Sequence, residues 1–136
     1  MSIRILIADD DDSIRRLLRR IVEDHADWHV CGEAGSGPEA VAQAEQLTPD
    51  VAILDLAMPQ MNGLEAARQI GRTSPRLPML LLTVQDVSPE LVREAKSAGF
   101  LGAVSKSTGN EVVQGIETLL RRESFFKYTA SDFSAL

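Results

Sequence analysis

The chain of 136 residues is poor in several things, and each shortage excludes something. It has one cysteine, Cys31, so no internal disulfide can form, and a thiol in the apolar run Trp28-His29-Val30-Cys31-Gly32 reads as a buried strand residue rather than a reactive one. Basic residues are outnumbered, 14 Lys and Arg against 20 Asp and Glu, for a net charge of −6. Gripping a nucleic-acid backbone needs clustered positive charge, so this segment is not expected to bind nucleic acid. No apolar run approaches the ~18 residues needed to span a bilayer, and the N-terminus lacks the apolar stretch of a secretory leader. A cytoplasmic location without membrane contact is expected. Aromatics are scarce too, and four of the six (Phe125, Phe126, Tyr128, Phe133) crowd into the last dozen residues. His25 and His29 keep no ligand spacing with other metal-binding residues and read as solvated or structural.

What the chain does have is alternation. Short apolar runs, Ile3 to Ala8, Val51 to Leu54, Met79 to Leu82 and Leu101 to Val104, read as strands buried on both faces, and His29 to Glu33 as a weaker edge strand. Between them lie stripes at helical spacing, such as Ile14, Leu17, Leu18, Ile21 and Val22, with Arg15, Arg16, Arg19 and Arg20 off the stripe. Those arginines read as a solvated face, with docking to a partner as the alternative. Ser36-x-x-Glu39 and Thr108-x-x-Glu111 are capping boxes, Asn62-x-x-Glu65 is a near relative, and Ser88-Pro89 places a cap before proline. Five strand–helix units in strict alternation predict an α/β domain: a doubly wound, five-stranded parallel sheet with five helices on its two faces. Residues 1–122 form that domain, and residues 123–136 are an aromatic-rich tail, or a linker to an output domain outside this chain.

Ligands of open α/β sheets bind beyond the carboxyl ends of the strands. Asp9 and Asp10, Asp55, Thr83 and Lys106 all fall there, on four different strands. Two like charges ~4 Å apart repel by about 4 kcal/mol at an effective dielectric near 20, so converging carboxylates call for a cation. An all-oxygen set suits Mg²⁺ or Mn²⁺ rather than zinc. Three carboxylates, one divalent cation and the Lys106 ammonium sum to zero charge. A carboxylate can attack phosphorus to form an aspartyl phosphate, and metal and ammonium would then stabilise the transferring group.

The segments Ala8-Asp9-Asp10, Leu54-Asp55-Leu56-Ala57-Met58-Pro59-Gln60-Met61-Asn62-Gly63, Leu82-Thr83 and Ser105-Lys106 resemble the receiver domains of two-component response regulators, most closely those of the LuxR/NarL type. The resemblance implies a flavodoxin-like fold with strand order 2-1-3-4-5. It implies Asp55 as phosphoacceptor, with a histidine kinase or histidine phosphotransfer protein as donor. Asp9, Asp10, Asp55 and the backbone carbonyl of Ala57 would hold Mg²⁺, while Thr83 and Lys106 would contact the phosphoryl group. Such a domain switches an output, commonly transcription through a DNA-binding domain, and can pair with a second copy through the face of the fourth helix, fifth strand and fifth helix. It is not an enzyme beyond its own phosphorylation and dephosphorylation.

Three positions depart from the family. Ala103 stands where an aromatic switch residue is usual, Val84 where a small residue is usual, and Ser107 where proline is common. A receiver-like interaction module that is never phosphorylated is the competing reading. A haloacid-dehalogenase-type phosphatase needs a second Asp two residues after the nucleophile, where Ala57 stands. A flavodoxin-like electron carrier would meet repulsion between Asp9 to Asp12 and a flavin phosphate.

Overall fold

In the computed structural model, which describes residues 2–106 and 109–128, strands and helices alternate along the chain. The strands are β1 (Ile3–Ala8), β2 (Trp28–Ala34), β3 (Val51–Asp55), β4 (Met79–Thr83), β5 (Gly102–Ser105) and β6 (Phe125–Phe126). The helices are α1 (Asp12–Glu23), α2 (Gly37–Leu47), α3 (Gly63–Thr73), α4 (Pro89–Ala98) and α5 (Gly109–Leu120). Every strand pairing is parallel, in the order β2-β1-β3-β4-β5-β6. The expected five-stranded sheet is therefore corrected to six. The sixth strand is two residues long, too short to carry any periodicity, and it forms because β5 offers a free edge.

Alternation along the central strands divides the core in two. Ile5, Ile7, Ile53, Leu80 and Leu82 pack with Leu18 and Val22 of α1 and Val112, Ile116 and Leu119 of α5. Leu6, Ala8, Leu54 and Leu81 turn the other way, onto α2, α3 and α4. Both sheet faces are thus covered, which is why the central strands read as unbroken apolar runs. The α1 stripe is only half used: Leu18 and Val22 are buried, whereas Leu17 is 49% exposed. Cys31 on β2 is half-buried rather than buried, and burial pushes its thiol pKa up. No helix among the described residues is long and apolar enough to cross a membrane.

Capping follows the sequence signals with one change. Asn62 and Glu65 form a full reciprocal box, and Ser88 caps α4 with Pro89 behind it. Ser36 accepts from the Glu39 N–H, but the Glu39 carboxylate accepts from Gly35 N–H instead, so that box is half formed. Thr108, Ser107 and Phe133, which figured in the sequence reading, lie outside the described residues.

The start of the tail folds back on its own domain. Phe125 N–H donates to the Leu101 carbonyl at 3.0 Å and Lys127 N–H to the Ala103 carbonyl at 3.1 Å. Each such bond is worth about 1 kcal/mol net, comparable to the ~1–2 kcal/mol cost of ordering a single residue. Partial burial of Phe125, Phe126 and Tyr128 against the core supplies the balance, so β6 is the least firmly held strand.

Trp28 begins β2, at the strand ends opposite Asp55, buried and stacked on His25 with ring centroids 3.6 Å apart. Titration with Mg²⁺ should therefore leave Trp28 emission unchanged. A saturable quench on adding Mg²⁺ would put the cation at the wrong end of the sheet.

Candidate functional site

Four strands deliver residues at or just past their carboxyl ends to one place. Asp9 follows β1 and is fully buried, tied by its N–H to the Ala34 carbonyl at 2.9 Å. Its Oδ1 accepts from Asp11 N–H at 2.9 Å. Its Oδ2 has no well-directed hydrogen-bond donor; the Lys106 ammonium, 2.7 Å away, is its counter-charge. Asp10 is exposed beside it, and Asp11 turns outward to cap α1, accepting from Ser13 and Ile14 N–H. Asp55 ends β3 and is 3% exposed. One carboxylate oxygen from each of Asp9, Asp10 and Asp55 falls within 4.8 Å of the others.

Lys106 closes the group from the far side. Its N–H donates to the Thr83 carbonyl at 2.9 Å, which extends the β4–β5 pairing past the strand end. Its Nζ sits 2.7 Å from Asp9 Oδ2 and 3.1 Å from Asp55 Oδ1. Burial pushes the Asp55 carboxyl above its ordinary range; the hydrogen bond from Lys106 opposes this, and the charge of Asp9 adds to it. Burial alone would lower the Lys106 pKa, but its pairing with the Asp9 and Asp55 carboxylates outweighs that and raises it, so the group is a cation. Thr83 is buried at the end of β4, its Oγ1 accepting from Gln85 N–H at 2.9 Å. A cleft of about 220 Å³ lies over these residues, lined also by Leu56, Ala57, Val84 and Gln85. All the residues singled out on the strand ends thus share one site.

Two contributors, an arginine pair and a glycine, were missed by sequence reasoning. The Arg15 guanidinium donates to the Asp9 carbonyl at 2.5 Å and pairs with Glu33 at 3.2 Å, so it braces the end of β1 instead of facing solvent. Arg19 also pairs with Glu33, at 2.7 Å. No spacing rule could have signalled these, because Glu33 comes from a neighbouring strand. The other is Gly63. Its N–H donates to the Leu56 carbonyl at 2.8 Å, closing the loop after β3. A Cβ there would lie 2.3 Å from the Asp55 carbonyl oxygen, so only glycine fits.

The donor set fits a hard divalent cation: all oxygen, two carboxylates buried, one buried oxygen without a directed donor, and an open side toward the cleft. A doubly wound parallel sheet with this acidic, lysine-bridged pocket at its carboxyl edge defines a flavodoxin-like phosphoacceptor domain. The match to known proteins is specific. The chain belongs to the response regulator receiver domain family, whose pattern it fits over residues 5–122. It is 36% identical over 126 residues to the transcriptional regulatory protein YxjL of Bacillus subtilis, covering 92% of this chain and 57% of that protein. To the response regulator UvrY of Escherichia coli K12 it is 35% identical over 133 residues, covering 97% of this chain and 59% of the relative. Among solved structures, a LuxR-family two-component response regulator from Aurantimonas sp. SI85-9A1 superposes with a TM-score of 0.88 at 29% identity, covering 98% of this chain and 94% of that one. The chain thus spans less than two thirds of the curated relatives' length.

Proposed function

We propose that Asp55 is the phosphoacceptor of this receiver, in a reaction that requires Mg²⁺ (Mn²⁺ serving in its place). The observation that carries the reading is the Lys106 ammonium held between Asp9 and Asp55, at 2.7 and 3.1 Å, with Asp10 completing the carboxylate trio. Asp9, Asp10, Asp55 and the Ala57 carbonyl are the residues to hold the cation. When bound, the cation supplies charge neutralisation for the carboxylates and for the transferring oxygens.

The chain's own part is positioning. An Asp55 oxygen attacks phosphorus, the new P–O bond forms as the donor's P–N bond to a histidine ring breaks, and the released ring nitrogen takes a proton from solvent. Lys106 neutralises one equatorial oxygen and the Thr83 hydroxyl donates to another, giving up its role as acceptor from Gln85 N–H alone. The donor is a histidine kinase or histidine phosphotransfer protein. The chain catalyses only its own phosphorylation and dephosphorylation, in the cytoplasm. Its output is transcription through a DNA-binding domain, by analogy with the longer relatives, and a second copy is its partner on the face of α4, β5 and α5. An interaction module with an unused pocket is the competing reading, supported by Val84, an apolar side chain 80% exposed at the mouth of the cleft.

Incubation with acetyl phosphate and Mg²⁺ separates the two. Intact mass should show one base-labile phosphoryl adduct on the wild type, none on Asp55→Asn, and none after chelation. A wild type that takes up no adduct, or an Asp55→Asn protein that takes up as much, sinks the phosphoacceptor reading.

A further inference from the structure

The short strand β6 does more than finish the sheet. It runs parallel to β5, with Gly102 opposite Phe125 and Ala103 opposite Phe126. The chain therefore comes back from the end of α5 and runs toward the sheet edge that carries Lys106 and Asp55. Its seat is built from absent side chains. A Cβ on Gly102 would lie 2.6 Å from the Phe125 carbonyl oxygen, and one on Gly115 of α5 would lie 3.3 Å from the Phe125 ring. Glycine in a strand and glycine inside a helix each weaken their own element. Here both open room for the same residue of β6. Alongside, the Lys96 ammonium of α4 lies 5.1 Å from the centre of the Phe126 ring, and the seat at Ala103 is fully buried.

We propose that residues 123–128 are a releasable strap, seated in the glycine notches of the β5 edge, and that loading of the phosphoacceptor site loosens it through β5. The proposal rests on the phosphoacceptor reading above. β5 is held from both sides. Its inner edge pairs with β4, Thr83 opposite Ser105, and Lys106 at its end reaches inward to Asp9 and Asp55. Among the described residues, its outer edge pairs with β6 alone. A phosphoryl group on Asp55 gives the Lys106 ammonium a more anionic partner on the inner side, so β5, whose first residues Gly102 and Ala103 carry the strap, is drawn as a whole toward the site and away from the strap. Two residues long and at the end of the sheet order, the strap strand yields before any other strand. While seated, it covers the β5 edge, so a second copy approaching the face of α4, β5 and α5 meets the strap first. Release frees that edge.

The test uses the full chain and beryllofluoride with Mg²⁺ as a stable phosphoryl mimic, loading being followed by fluorine NMR. Amide exchange of Phe125 and Lys127 should quicken about tenfold on loading, while Leu54 and Leu82 stay protected. Gly102→Ala should show the fast exchange without loading, still take its acetyl phosphate adduct on Asp55, and bind beryllofluoride more tightly by the same factor, because coupling between two sites is reciprocal. Phe126→Ala provides the same readings if the first variant does not fold. Loaded wild type with unchanged or slower exchange overturns the coupling. Gly102→Ala and Phe126→Ala strands as protected as wild type overturn the seat. Failure to load, with no adduct on Asp55, removes the phosphoacceptor reading and the coupling with it, whereas exchange in the unloaded variants still decides the seat.

Discussion

Replacing Lys106 with methionine should slow adduct formation on Asp55 by about 10²–10³-fold, the usual loss when one preorganised charge stabiliser is removed from a transition state. The same substitution should destabilise the chelated protein. Lys106 is the counter-charge of Asp9, which is fully buried, and of Asp55, which is nearly so. Removing one partner of a buried pair typically costs about 3–5 kcal/mol, because the remaining charge is left without compensation. Methionine also removes the ammonium that repels an incoming cation. Mg²⁺ should therefore bind the variant more tightly than wild type, and at a hundred times its dissociation constant restore about 2.7 kcal/mol. Urea unfolding with Mg²⁺ and with chelator, beside time-resolved intact mass, measures both effects. An unchanged labelling rate would mean that the ammonium plays no part in the transfer; unchanged stability would mean that the carboxylates are neutralised in some other way.

Gly63→Ala should be nearly as damaging, through geometry alone. The added Cβ would stand 2.3 Å from the Asp55 carbonyl oxygen and 3.1 Å from Leu56 Cα. Both neighbours are backbone, so neither can swing aside, and the start of α3 must move off the end of β3. Overpacking of this kind costs ~1–3 kcal/mol. Displacing the nucleophile by ~1 Å can cost about 10²-fold in rate, so labelling should fall even in molecules that stay folded. Gly71→Ala is the natural control, since it lies in the same helix with nothing within 4 Å of its added Cβ. That change should stabilise by up to ~1 kcal/mol and leave labelling untouched. Equal behaviour of the two variants would remove the steric account of Gly63.

Much of the site was legible because its chemistry sits at strand ends. Asp55 and Thr83 each close an unbroken apolar run, and a parallel sheet brings such ends together whatever the rest of the chain does. The role of Gly63 was not legible. Asparagine–glycine at a helix start reads as a cap and a turn, and the close approach of the Asp55 carbonyl appears only once α3 is folded back over β3. Arg15 was misplaced for a similar reason: periodicity puts it off the apolar stripe, but beside Asp12 in its own helix it pairs with Asp9, just past β1, and Glu33 on β2.

Strand–helix alternation, two-sided burial of the central strands, and the set of residues that carry charge at their ends could all be read from the chain alone. These follow from local pattern, where apolar period and capping chemistry act over a few residues. It took the folded arrangement to show that Lys106 bridges Asp9 and Asp55, that Gly63 is required by a backbone contact, and that Phe125–Phe126 adds a sixth strand. Each of those depends on distances between segments far apart in the chain. For β6 the deciding physics is the outer edge of β5, where Phe125 and Lys127 N–H satisfy the Leu101 and Ala103 carbonyls beside notches at two glycines, and a two-residue segment carries no pattern that could announce it.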